Sequence, residues 1–230
     1  MTSDGSMRVA TFNVKHGENG AGRVDLRRLA AACRSLRADV LAVQEVERFA
    51  RRSGFRDEMR LIARATGLRA VFGEAARRKW RSYGNVLLAR GPITDVEVLK
   101  LPRPAEGEPR VAIVARVTVD GVALSVAATH LSFRKGEGAA QLQLLLAALA
   151  ERPGPRLVLG DLNIGPDVVL PAVTAAGYTV APTEATFPAG APRTRLDYVA
   201  VSGLDVVSGS TPAVGTSDHL PVVAELRTST

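Results

Sequence analysis

The chain has 230 residues, 46% of them hydrophobic, a formal net charge of +7 and one cysteine, Cys33. That length and apolar content allow a sizeable core, while a single cysteine excludes an internal disulfide framework or a cysteine metal cluster. No run of about 18 apolar residues could span a bilayer, and Met1 to Ser6 is polar with no basic segment leading into an apolar one, so a soluble, cytoplasmic, monomeric protein is expected.

Residues 1–6 are expected to be a disordered tail and 7–228 a single domain. Met7 to Asn13 reads as a strand ending in a polar residue, followed by a glycine-rich loop from Lys15 to Gly22 that holds His16 and Glu18. Asp25 can cap a helix running to about Leu36, with Leu26, Leu29, Ala30, Cys33 and Leu36 at helical spacing. Asp39 to Val43 is a second apolar strand, terminating in Gln44-Glu45. An amphipathic helix is expected over Arg56 to Thr66, then a strand from Arg69 to Phe72, a basic loop Arg77-Arg78-Lys79-Trp80-Arg81 and a strand from Tyr83 to Leu88.

A further strand is expected near Thr94 to Leu99. Arg110 to Val119, the turn Asp120-Gly121 and Val122 to Thr129 make the clearest hairpin, leading into His130-Leu131. An apolar helix from Ala139 to Leu149 precedes the strand Arg156 to Asp161, and a short helix follows around Val168 to Ala175. Arg195 to Val201 is a strand with Asp197 near its start, and Thr216-Ser217-Asp218-His219-Leu220-Pro221 leads into a last strand, Val222 to Leu226. Strands joined partly by helices and partly as hairpins imply two packed mixed sheets with helices outside.

Polar groups gather at the ends of these apolar runs: Asn13, Glu45, His130, Asp161, Asn163, Asp197, Asp218 and His219. Oxygen ligands without cysteine suit a hard cation, Mg²⁺ or Mn²⁺, which keeps several waters and takes only one or two carboxylates, so Glu45 with Asn13 or Asp218 would suffice. A histidine can transfer protons at neutral pH, and a neighbouring carboxylate would orient it. Carboxylate, amide, two histidines and a hard metal together describe hydrolysis of a phosphate ester.

Thr11-Phe12-Asn13, Gln44-Glu45, Thr129-His130-Leu131, Gly160-Asp161-Leu162-Asn163, Arg195-Leu196-Asp197-Tyr198 and Ser217-Asp218-His219-Leu220-Pro221 occur in that order along nearly the whole chain. This set resembles the endonuclease/exonuclease/phosphatase superfamily, which includes deoxyribonucleases, abasic-site endonucleases, neutral sphingomyelinases and inositol polyphosphate 5-phosphatases. The resemblance implies a four-layered α/β/β/α sandwich, with Glu45 the principal Mg²⁺ ligand and Asn13 and Asp218 at the metal site. It further implies that Asp161 activates the attacking water, Asn163 contacts the phosphate, His219 contacts the phosphate or acts as base with Asp197 bonded to it, and His130 assists the transition state or leaving group. Arg110 and Arg81 are candidates for phosphate contacts.

The expected substrate is nucleic acid. Between Val46 and Arg90 twelve bases face four acids, and a clustered basic surface suits a polyanion. The alternative is a phosphatase or phosphodiesterase acting on a small phosphorylated metabolite or lipid headgroup, with Arg77, Arg78 and Arg81 as a phosphate clamp.

Overall fold

The computed structural model describes residues 5–228 apart from residues 20 and 105. In chain order the elements are β1 (Ser6–Asn13), α1 (Leu26–Ser35), β2 (Val40–Arg48), α2 (Glu58–Thr66), β3 (Arg69–Arg78), β4 (Arg81–Ala89), β5 (Ile93–Lys100) and β6 (Val111–Val119). They continue with β7 (Val122–His130), α3 (Glu137–Ala150), β8 (Arg156–Asp161), α4 (Pro166–Ala175), β9 (Thr179–Val180), β10 (Asp197–Ser202), β11 (Asp205–Ser210) and β12 (Val222–Arg227). Two six-stranded sheets result, in the orders β11-β12-β1-β2-β4-β3 and β5-β6-β7-β8-β10-β9.

Each sheet has one parallel pair near its middle, β1 with β2 and β7 with β8. Parallel neighbours need a crossover, supplied here by α1 and α3. The carboxyl ends of these pairs carry Asn13 beside Gln44 and His130 beside Asp161. Open sheets commonly place ligands beyond such strand ends.

The strands read as unbroken apolar runs because both faces are covered. Val40 and Ala42 point into the seam between the sheets with Val9, Leu87, Ile113, Val126, Leu157, Leu159 and Val199. Leu41 and Val43 point the other way, against Leu29, Cys33, Leu36 and Ile62 of the first two helices. On the far side Leu142, Leu145 and Leu149 of α3 and Val173 of α4 cover Val158 and Tyr198. The expected sandwich of two mixed sheets flanked by helices is therefore present. Asp25 caps α1 by accepting from the N–H groups of Arg27 and Arg28, and Asp57 caps α2 by accepting from Arg60.

Four sequence expectations change. The tail expected over 1–6 falls partly on residues 1–4, outside the described residues, but Ser6 already pairs with Arg227. β2 does not stop at Val43: a bulge between Val43 and Val46 holds Glu45 at φ 59°, and the strand runs on to Arg48. The expected basic loop is a two-residue turn, since the β3–β4 ladder continues to Arg78 opposite Arg81. β9 and β11 are additional edge strands. No helix among the described residues is long and apolar enough to cross a membrane.

Candidate active site

Asp161, the last residue of β8, is 1% exposed and forms the hub of the site. Its Oδ1 accepts from the Asn163 N–H at 2.9 Å, a turn that places Asn163 at φ 52°. Its Oδ2 accepts from Asn13 Nδ2 at 2.9 Å and lies 3.3 Å from His130 Nε2 and 3.8 Å from His219 Nε2. Burial, then the adjacent Asp197 carboxylate, raises the Asp161 pKa.

Asp197 opens β10 directly across from Asp161. Its Oδ2 accepts from His219 Nδ1 at 2.8 Å, whereas Oδ1 has no hydrogen-bond partner. Burial works against a charged His219, yet the bond to Asp197 and the charges of Asp197, Asp161 and Asp218 prevail and raise its pKa to about 9. Phe187 packs against the imidazole with ring centroids 4.9 Å apart.

His130 ends β7, paired in register with Asp161. Arg110, 5% exposed, lies with Nη1 2.9 Å from His130 Nδ1. A guanidinium only donates, so Nδ1 must accept and the neutral ring carries its proton on Nε2. Burial, Arg110 and His219 push the His130 pKa well down. Asn163 gives an N–H to Leu131 O at 3.0 Å, and its Nδ2 stands 2.9 Å from His130 Nε2. Asp161 Oδ2 is an acceptor oxygen 3.3 Å from that nitrogen. Arg110 was expected on the phosphate; its position is behind His130, with Nη2 3.0 Å from Glu108.

Asn13 donates from Nδ2 to Glu45 Oε1 at 3.0 Å as well as to Asp161, while its Oδ1 accepts from the Lys15 N–H at 3.1 Å. In that orientation Asn13 bridges the Glu45 and Asp161 carboxylates. Asp218 Oδ2 pairs with Lys15 Nζ at 3.0 Å. The remaining Glu45 oxygen, Oε2, faces His16 Nδ1 at 3.9 Å.

Among the described residues, one cluster and the separate Glu45 carboxylate could hold a cation. Asp161, Asp197 and His219 offer three ligand atoms within 4.8 Å of one another. Asp197 Oδ2 and His219 Nδ1 are bonded to each other, which leaves Asp161, Asp197 Oδ1 and His219 Nε2 as the donors of that cluster. Glu45 offers an oxygen donor on a half-buried side chain, the chemistry a hard divalent ion prefers.

Arg81 occupies a neighbouring cleft of about 310 Å³ lined by His16, Glu45, Arg52, Tyr83 and Glu108. It shares the buried Glu47 carboxylate with Arg52. A larger cleft of about 700 Å³, lined by Asn19, Arg23, Arg27 and Arg56 among others, holds none of the clustered groups. Sequence reasoning missed Arg52, Glu47 and Lys15; charged residues flanking the Glu45 and Asn13 motifs were the only signal available.

The sequence model of the Endonuclease/Exonuclease/phosphatase family matches residues 10–219. A UPF0294 protein of Vibrio vulnificus is 36% identical over 113 residues, covering 45% of this chain and 39% of that protein, so the match spans about two fifths of the relative's length. YbhP of Escherichia coli is 28% identical over a 252-residue alignment covering 98% of each chain. Among solved structures, an endonuclease/exonuclease/phosphatase of Beutenbergia cavernae superposes with a TM-score of 0.81 at 25% identity, over 97% of this chain and 72% of that one. The D. rerio TDP2 structure complexed with a single-strand DNA product gives 0.75 at 18% identity, over 98% and 100%. At that identity the second likeness is one of fold.

Proposed function

The chain belongs to the endonuclease/exonuclease/phosphatase family, and on that premise we propose that it is a divalent-metal-dependent phosphoesterase that hydrolyses phosphodiester bonds in nucleic acid. The observation that carries the reading is the convergence of Asn13, His130 and His219 on Asp161 Oδ2, with Asp197 behind His219.

Glu45 is the group that would hold Mg²⁺ or Mn²⁺, with Asp218, paired to Lys15, as a further carboxylate. When bound, the ion supplies positive charge to the phosphoryl oxygens. Asp161, with its raised pKa, takes a proton from a water as the water oxygen bonds to phosphorus. His219, kept cationic at neutral pH by Asp197, presents Nε2–H to a phosphoryl oxygen. His130, neutral, presents Nε2–H on the other side of Asp161, where it can donate a hydrogen bond to the departing ester oxygen, which takes its proton from solvent water as the phosphorus–oxygen bond breaks. Asn13 fixes the Asp161 carboxylate, and Asn163 lies beside His130 to meet the phosphate.

A second reading, hydrolysis of a small phosphorylated molecule, is favoured by the way the basic segment is spent. Arg48 and Arg60 pair with Asp57, Arg77 with Glu74, and Arg90 with Asp39 and Asp120. The electropositive face is thus narrower than twelve bases suggest. Cleavage of plasmid DNA and of RNA across a salt series separates the two, because each phosphate contact contributes a slope of roughly −0.7 to −0.9 in log affinity against log salt. Polynucleotide cleavage that weakens steeply with salt supports the first reading; turnover of small esters alone supports the second.

A further inference from the structure

We propose that Arg52 and Arg81, held together on the buried carboxylate of Glu47, form a second phosphate subsite beside the reaction centre, for a phosphate of the substrate other than the one attacked. The inference rests on the phosphoesterase reading and narrows its substrates to molecules carrying at least two phosphates.

The subsite is built from three elements. The bulge at Glu45 returns β2 to regular pairing at Val46, and the next residue, Glu47, is fully buried. Arg52, on the short helical turn Arg51–Ser53, grips Glu47 as a fork, Nε to Oε2 at 2.8 Å and Nη2 to Oε1 at 2.7 Å. Arg81, first residue of β4, reaches Oε1 from the other side at 2.6 Å. Beneath them Glu58 accepts from the Glu47 N–H at 2.7 Å.

One forked arginine already neutralises the Glu47 carboxylate, so the second adds a positive charge there, in a cleft that Glu45 and Glu108 also line, Glu108 being paired with Arg110. The two arginine side chains remain 42% and 46% exposed although that of Glu47 is not. An arginine carries five N–H donors; Glu47 takes two from Arg52 and is ion-paired with Arg81, which leaves donors of both arginines for the cleft they line with Glu45. Anchoring at one end removes rotamer freedom that a phosphate would otherwise have to freeze out, which is preorganisation. The cleft volume of about 310 Å³ is at the small end of ligand pockets, which run from roughly 300 to 1,000 Å³. It suits one phosphate and its immediate attachments. Arg77 of the expected clamp is turned to Glu74 and takes no part.

The test is competition against bis-p-nitrophenyl phosphate hydrolysis by a thymidine dinucleotide with and without a 5′-phosphate, and by a sugar bisphosphate against its monophosphate. The wild type should bind the phosphorylated member of at least one pair tenfold or more tightly, and Arg52→Gln and Arg81→Gln should each bring that ratio toward one. A preference in the dinucleotide pair points to a nucleic-acid source and in the sugar pair to a metabolite. Ratios within twofold in both pairs, or a ratio unmoved in both variants, would overturn the subsite. If a variant fails to fold, the wild-type ratios still decide. Should the wild type not hydrolyse bis-p-nitrophenyl phosphate, the phosphoesterase reading fails, and calorimetric titration with the same pairs judges the subsite separately by the same tenfold and twofold limits.

Discussion

His219 Nδ1 lies 2.8 Å from Asp197 Oδ2, the histidine arriving on the loop that enters β12 of one sheet and the aspartate at the start of β10 of the other. This bond ties the two sheets together at the site. It also fixes which histidine nitrogen remains available, since Nδ1–H is committed and Nε2 faces Asp161.

The pair has a pH signature. The His219 pKa rises from 6.5 unfolded to about 9 folded, so its stabilisation is complete below pH 6.5 and is lost as pH climbs through the folded value. By that linkage it is worth roughly 3 kcal/mol at most. Urea unfolding of Asp197→Asn against wild type should show a larger deficit at pH 6.5 than at pH 9.5, and the His219 titration followed by NMR should fall in the variant. An unmoved His219 midpoint would contradict the pairing.

His130 runs the other way. Its pKa is lowered by burial, then by Arg110 and His219, so the unfolded state binds the proton first and stability falls as pH drops below 6.5. Arg110→Met removes the guanidinium behind Nδ1. The ¹⁵N shifts of His130 should then lose the single Nε2–H tautomer, and kcat should drop by about 10²-fold. Retention of that tautomer in the variant would show that Arg110 does not set it.

Gly160 stands opposite Thr129, one residue before the His130–Asp161 pair. A Cβ at Gly160 would meet Thr129 O at 2.2 Å, so Gly160→Ala must push β7 from β8 where the two catalytic candidates meet. Destabilisation of about 1–3 kcal/mol is expected from such overpacking, together with a loss of kcat. Unchanged urea midpoint and kcat would mean that the strands yield without moving the site.

The metal assignment is tested by Mn²⁺ titration calorimetry. Glu45→Gln should weaken binding by about tenfold or more, since a hard ion relies on few carboxylates, while His219→Gln should leave affinity near wild type. The reverse pattern would place the ion among Asp161, Asp197 and His219.

Most of the site was legible because Asn13, His130, Asp161 and Asp197 stand at the ends of buried strands, where an apolar run gives way to a polar residue. Glu45 was found for the wrong geometrical reason: it sits in a bulge, and the strand beyond it, Val46-Glu47-Arg48, reads as surface because Glu47 is buried only through its ion pairs. The Arg77 to Arg81 stretch looked like a loop since charge dominates a hairpin tip exposed to water. β11 was illegible because its residues, Asp205 to Ser210, are mostly exposed and carry no alternating pattern. The placement of Arg110 on His130 and of Arg52 on Glu47 are contacts of side chains across a fold, which no local periodicity encodes.

The most direct test of the central claim is hydrolysis of bis-p-nitrophenyl phosphate by wild type and Asp161→Asn, with Mg²⁺ or Mn²⁺ and with excess chelator. The account predicts turnover by the wild type that stops with chelator, and a loss of about 10³-fold or more in Asp161→Asn, the upper range for removing a group on which proton transfer and charge stabilisation both depend. Equal rates in the two proteins, or wild-type turnover indifferent to chelator, would contradict it.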